Sequence, residues 1–364
     1  MEDRSRPSLR YWLGFHLIPG VGAARLTRLI DHFGTVEDAW RASERELRAA
    51  GLPQEVAGTV VAQRQRLDLD RELDRLDQSG VSALTLEDND YPRMLRHISS
   101  PPPILYVRGQ LLPTDEVAIG IVGTRRSTTY GSDMAQRISR ELSSAGVTVV
   151  SGLALGIDTA AHRAVIDAGG RTIAVFGCGL DTIYPPRNRQ LAEQIMGQGA
   201  LVSEYPLGTK PDARNFPARN RIISGLSKGV VVIEAPMKSG ALITTAFAAD
   251  QGRDVYAVPG SALSANSAGC HELIRNGATL VTSATQILEA LDVVSVEAHT
   301  QSRMLLPETD AERILYAIVG AVPRHVDELA HESGLAIHEA GGTLLAMELK
   351  GLVRQSGAQH YVRS

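Results

Sequence analysis

The run Ile121-Val122-Gly123-Thr124-Arg125-Arg126-Ser127, continued by Tyr130-Gly131, decides how this chain folds. The apolar, β-branched segment Val117–Val122 ends on a glycine-containing turn, and helical spacing follows it. A strand that passes through such a turn into a helix is the repeating unit of an open parallel sheet. Working outward, the same rhythm recurs from about residue 81 to 290. Short apolar runs at Val147–Val150, Thr172–Phe176, Val230–Ile233 and Val255–Val258 alternate with amphipathic segments. Strands covered by helices on both faces carry this nearly continuous apolar texture. The expected class is α/β, with a parallel sheet at its core.

The flanks read differently. Residues 8–80 carry helical spacing without a convincing strand: Leu9–Leu17, Ala23–His32, Val36–Arg41, Glu44–Ala50 and one long helix Glu55–Leu76. Residues 291–310 are polar and aperiodic, as in a linker. Residues 311–364 give helices at Glu312–Val319, Val326–Ser333 and Ile337–Lys350, then a β-like tail at Leu352–Val362, which suggests a winged helix. The expected division is 1–80 helical, 81–290 sheet domain, 291–310 linker and 311–364 winged-helix-like.

Composition narrows the function classes. The 364 residues are 43% hydrophobic and 21% charged, as in an ordinary globular protein. The net charge of −4 gives no global positive field, so a nucleic-acid partner would need a local patch. Only four of the 37 basic residues are lysine, and three of these, Lys210, Lys228 and Lys238, fall within one short stretch. Two cysteines, Cys178 and Cys270, build neither a disulfide framework nor a four-ligand zinc site, which points to a reducing cytoplasm. Met1–Arg10 has five charges and no apolar core, unlike a secretory signal, and no run has bilayer-spanning length.

Several turns could hold anions. Leu17-Ile18-Pro19-Gly20-Val21-Gly22 joins two helical segments and resembles a helix-hairpin-helix turn, which grips DNA phosphates through amides; a plain helix–helix connection is the alternative. The Gly123–Ser127 turn places Thr124, Arg125 and Arg126 at the carboxyl edge of the sheet, where open α/β folds bind ligands. Two adjacent arginines there favour phosphate. The sequence lacks the later glycines of the dinucleotide fingerprint and is not a P-loop. Ser151 and Gly152 open a similar turn, in which Asp158 suits capping or orienting neighbours better than acting as a base. Gly177–Asp181 and Tyr184-Pro185-Pro186-Arg187-Asn188 follow another strand, and Cys178 has no flanking histidine, so packing suits it.

The richest stretch is Lys210 to Ser224. Between Leu207 and Ile233 five basic residues stand against the single acid Asp212, a local charge of +4. Phe216 sits among these cations with no evident core face. An aromatic beside arginines suits base stacking next to backbone neutralisation, as single-stranded nucleic acid requires. Lys238, Ser239 and Gly240 then open a helix and form a third anion-favouring turn. Enzyme motifs fail: Gly225–Gly229 matches G-x-S-x-G with helix and strand reversed. Position 275 is Arg, so His271-Glu272 does not complete a zinc motif.

Taken in order, the loops Gly123–Gly131, Ser151–Asp158, Gly177–Asn188, Asn215–Ser224 and Lys238–Thr245 resemble those of the DNA-processing protein A (DprA/Smf) family. The resemblance spans roughly residues 81–290. It implies an extended Rossmann-like domain, an N-terminal SAM-like or helix-hairpin-helix domain and a C-terminal winged helix. It further implies a homodimer that binds single-stranded DNA and helps load the recombinase RecA during natural transformation. No catalytic residue, metal or cofactor is expected. The implied DNA-binding residues are Gly123, Thr124, Arg125, Arg126, Ser151, Gly152, Arg187, Asn188, Phe216, Arg219, Asn220, Arg221, Lys238, Ser239 and Gly240. Two rival readings are a phosphoribohydrolase-like enzyme and a duplex-DNA regulator acting through the winged helix. The first needs a carboxylate just after the glycine loop, and Gly240–Ala249 contains none.

Overall fold

Nine short strands of the chain, most of them apolar, assemble into one sheet: β1 (Ser82–Thr85), β2 (Ile104–Gly109), β3 (Ala118–Val122), β4 (Thr148–Ser151), β5 (Thr172–Phe176), β6 (Ala200–Ser203), β7 (Gly229–Val232), β8 (Asp254–Ala257) and β9 (Thr279–Leu280). The computed structural model describes residues 8–291, 309–320, 323–349, 352–355 and 359–363. They divide into two compact units, Met1–Ile287 and Leu288–Ser364.

The strand order is β1-β2-β6-β5-β4-β3-β7-β8-β9. From β6 to β9 every neighbouring pair is parallel, whereas β1–β2 and β2–β6 are antiparallel. The expected parallel sheet is therefore extended by an antiparallel edge. Periodicity did not show β1, β2, β6 or β9, because such short runs cannot be told from loops or buried helix segments. The central strands β3 to β7 are wholly buried, as their β-branched composition requires. The chain steps from β3 outward through β4, β5 and β6, then returns to β7 on the other side of β3. That reversal leaves a crevice at the carboxyl ends of the strands.

The N-terminal helices are Leu9–Leu17, Ala23–Phe33, Val36–Arg41, Glu44–Ala49, Gln54–Arg64 and Leu69–Gln78. The long helix expected over 55–76 is two helices. Asp68 ends the run by accepting from the Arg71 amide, and so caps a new helix at Leu69. These helices, expected as a domain of their own, share one hydrophobic core with the sheet. Trp12, Phe15, Leu29 and Trp40 are continuous with Ala83, Tyr106, Phe176 and Leu201. Trp40 meets Phe15 edge to face, with ring centroids 5.1 Å apart, and its ring lies against Gly14.

In the second unit, helices Asp310–Ile318, Val326–Ser333 and Ile337–Leu349 pack with a three-stranded sheet of β10 (Arg324–His325), β11 (Val353–Gln355) and β12 (His360–Arg363). Thr309 and Glu312 form a capping box that sets the first helix. This is a winged-helix arrangement with its own core of Leu315, Leu329, Leu344 and Met347. All but the ends of the expected linker, 291–310, lies outside the described residues.

Two expected outcomes follow. A side chain at Gly14 would begin 2.6 Å from the Trp40 ring. Gly14→Val should therefore lower the unfolding free energy by about 1–3 kcal/mol in urea titrations. His162 is fully buried and donates from Nδ1 to the Thr172 hydroxyl, which itself donates to the Val149 carbonyl. Burial pushes its imidazole down to about 3, below the ordinary 6.5. The unfolded chain then binds more protons, so this contribution is complete above pH 6.5 and is lost as the pH falls toward 3. His162→Leu should flatten the fall in urea midpoint between roughly pH 7 and pH 5.

Candidate nucleic-acid interface

At the reversal beside β3, the loops after β3 and β7 and the helix Asn215–Gly225 enclose a cleft of about 630 Å³. Its walls include Gly123–Arg126, Ala154, Tyr184, Phe216, Asn220, Ser239 and Gly240, with Asp158 and Arg219 at its base. The loop after β3 is pinned from across the crevice. Glu234, buried two residues past β7, accepts from the Thr128 amide at 2.9 Å and from the Thr128 hydroxyl at 2.6 Å. Gly131 fits there because a Cβ would collide with the Glu234 carboxylate. The Thr124 amide donates to the Glu234 carbonyl at 2.7 Å, which sets the direction in which Arg125 and Arg126 leave the turn.

Beneath the cleft lies a charge taken out of water. Arg219 is 4% exposed and donates to the carbonyls of Gly152 and Val175. Asp158 accepts from the amides of Gly152 and Ala154 at 3.1 and 3.3 Å, and its charge faces Arg219. Burial outweighs the attraction for both: it lowers the Arg219 guanidinium to about 10 and raises the Asp158 carboxyl above its usual range. Leu153, between those two amides, holds a left-handed φ of 55°, which a branched side chain tolerates only where its surroundings fix it. The buried Asn188 amide adds to this by donating to the Leu153 carbonyl at 2.9 Å.

The upper cleft is aromatic and cationic. Phe216 is half-buried over Gly177, where no Cβ fits, and its ring centroid lies 5.6 Å from that of Tyr184. The exposed Arg125 guanidinium stands 5.5 Å from the Phe216 ring centre, within cation–π range. Asn220 donates to the Gly240 carbonyl at 3.2 Å and joins the helix to the loop after β7. A flat ring with a cation over it can stack a base beside a group that holds its phosphate.

The structure thus sorts the residues expected from sequence. Gly123, Thr124, Arg125, Arg126, Phe216, Asn220, Ser239 and Gly240 line the cleft. Ser151 does not: its hydroxyl is buried and donates to the Ile121 carbonyl at 2.6 Å, tying β4 to β3. Gly152 gives its amide to Asp158 and its carbonyl to Arg219, so neither group is open to a ligand. Arg221, expected to hold phosphate, instead forms a bidentate pair with Glu204 at 2.7 Å and donates to the Ser100 carbonyl. Asn188 is internal, while Arg187 and Lys238 are exposed outside the cleft wall. Cys178 packs, as expected, and burial pushes its thiol up to about 11.

Tyr184 and Glu234 were missed as working residues. An aromatic before two prolines and a carboxylate closing an apolar strand were the available signals. The hairpin Leu17–Gly22 lies beside Ser100, Glu204 and Arg221, and His16 bonds the Glu204 carbonyl at 2.9 Å, which ties this hairpin to the sheet domain.

The family model described as DNA recombination-mediator protein A matches residues 82–292, and that of the DprA winged helix domain matches residues 297–359. Protein Smf of Synechocystis sp. is 40% identical, with 97% of this chain and 98% of that protein covered. DNA processing protein DprA of Bacillus subtilis is 43% identical over 63% of this chain and 77% of its own length. The X-ray structure of DNA processing protein A from Streptococcus pneumoniae superposes with a TM-score of 0.69 and 35% identity, covering 77% of this chain and 97% of that one. DNA processing protein A of Helicobacter pylori, whose structure is described for its single-stranded DNA binding mode, gives a TM-score of 0.53 and 30% identity over 58% and 95%.

The geometry separates frame from surface, and stability measurements should do the same. Arg219→Ala leaves Asp158 and two carbonyls without their cation and should cost about 3 kcal/mol or more in urea. Arg125→Ala removes an exposed side chain and should change stability by less than about 0.5 kcal/mol.

Proposed function

The chain belongs to the DNA recombination-mediator protein A family, and from that premise we propose that it binds single-stranded DNA in the cleft at the carboxyl edge of the sheet. In this reading it protects incoming strands and helps load a RecA-type recombinase during natural transformation. It acts in the cytoplasm as a homodimer formed through the Rossmann-like domain. The observation that carries the reading is the Arg125 cation over the Phe216 ring, with Tyr184 beside it, at the mouth of a cleft bordered by Arg126. A base stacks on the ring while its phosphate meets the arginines. Thr124, Ser239 and the Gly123 and Gly240 backbones supply neutral contacts, and Lys238 reaches in from the rim. Ser151, Gly152, Asn188, Arg219 and Arg221 hold the frame. Among the described residues no helix is long and apolar enough to cross a membrane.

The phosphoribohydrolase-like reading requires a carboxylate free to act in the cleft. Asp158 is the carboxylate in its wall, and it already accepts two loop amides. We therefore assign no catalysis to the site. The winged helix also suits duplex DNA poorly. Its third helix, Ile337–Leu349, contains no Lys or Arg and exposes Ile337 and Leu345. Arg313 pairs with Asp310, and Arg324 with Glu328 and Glu332.

Fluorescence anisotropy over a salt series should show single strands binding much more tightly than duplex, with affinity falling as salt rises. Equal affinity for both would overturn the reading. Arg125→Ala and Phe216→Ala should each weaken single-strand binding by about tenfold. Deleting residues 300–364 should weaken it only mildly. Release of adenine from AMP, abolished by Lys238→Ala, would instead establish an enzyme.

A further inference from the structure

A second groove of about 360 Å³ opens on the other side of the Ala154–Gly156 segment, between helices Thr129–Ser144 and Ile157–Asp167. Arg163 and Arg187 stand in its walls, both exposed and, among the described residues, neither in an ion pair. Ser132, Gln136 and Thr159 add polar groups, Leu155 gives an exposed apolar edge, and Asp167 is the one carboxylate present. The groove adjoins the cleft across the Ala154–Gly156 segment. Ala154 lines the cleft while its neighbours Leu155 and Gly156 line the groove, and Gly156 packs so closely on the Thr124–Arg125 backbone that no Cβ fits. Asn188 and Thr159 brace the partition: the Asn188 amide donates to the Thr159 hydroxyl, which donates to the Ala154 carbonyl.

We propose that this groove is a second phosphodiester station, in which Arg163 and Arg187 hold the backbone of the same single strand after it leaves the cleft past Arg125. The proposal rests on the cleft being the single-strand site. Two guanidiniums held on short and long helices, without an ion-pair partner among the described residues, offer forked donors matched to phosphate oxygens, and Leu155 offers a face for a sugar or base. Arg163 belongs to none of the turns that mark the cleft in the sequence. Helical spacing alone brings it opposite Arg187.

The test compares Arg163→Ala/Arg187→Ala with the intact chain on deoxythymidine oligomers of about 5 and about 20 nucleotides, lengths that bracket a single-strand site. On the longer strand the double variant should bind about tenfold more weakly, and its salt slope should shrink by about 1.4, the release from two phosphate contacts. On the short oligomer it should match the intact chain. Wild-type affinity and slope on both lengths would overturn the groove and leave the cleft standing, as would equal losses on both. Failure of the intact chain to bind either oligomer would overturn the cleft reading and the groove with it. Arg163→Lys/Arg187→Lys should keep most of the salt slope, which a purely structural role for these side chains would not produce.

Discussion

The fold around the site depends on one buried guanidinium. Arg219 sits beneath the cleft and joins the chain after β4, the carbonyl of Val175 in β5 and the helix Asn215–Gly225. An unpaired cation in such a place would cost several kcal/mol of desolvation. Here two carbonyls and the charge of Asp158 offset part of that cost. Asp158 in turn gathers the amides on either side of Leu153 and holds that residue at a positive φ. Gly152 is obligatory because any side chain would occupy the place of the guanidinium. A loop that looks like a phosphate cradle is therefore already filled by a carboxylate of the protein itself.

Glu234 performs the corresponding task on the other bank. Its carboxylate, just past β7, accepts from Thr128 and so ties together the two loops that diverge at the reversal. Rigid anchoring below leaves the exposed groups above free for a partner. Arg125, Arg126, Tyr184 and Phe216 keep accessible surface because their neighbours satisfy the buried polar atoms. The arginines divide accordingly into those that hold the protein, Arg219 and Arg221, and those that face outward.

The N-terminal helices join this arrangement through the core rather than through a flexible tether. Trp40, Phe15 and Tyr106 belong to one apolar cluster with Phe176 and Leu201, and His16 reaches the Glu204 carbonyl. Glu204 also holds Arg221 on the cleft helix, so the hairpin is linked to the helix that carries Phe216 through two polar contacts.

The sequence by itself determined the alternation of apolar strand and helix, the parallel core, the winged-helix unit and the glycine turns at one sheet edge. These are local properties, written in β-branched runs, helical spacing and turn residues. It also marked Arg125 and Phe216, because a cationic turn and an aromatic within a basic stretch stand out in an acidic chain. Only the tertiary structure decided which cations face the cleft. Arg219 and Arg221 lie two residues apart and read alike, yet one is enclosed against the carbonyls of Gly152 and Val175 at the ends of β4 and β5 and the other is paired with Glu204. Burial and long-range partners set those roles, and neither leaves a periodic trace. The same holds for the places of Tyr184, Glu234 and Arg163, which depend on what the fold sets opposite them. Net charge described the whole surface, whereas the cleft depends on a few cations that the fold gathers at one edge.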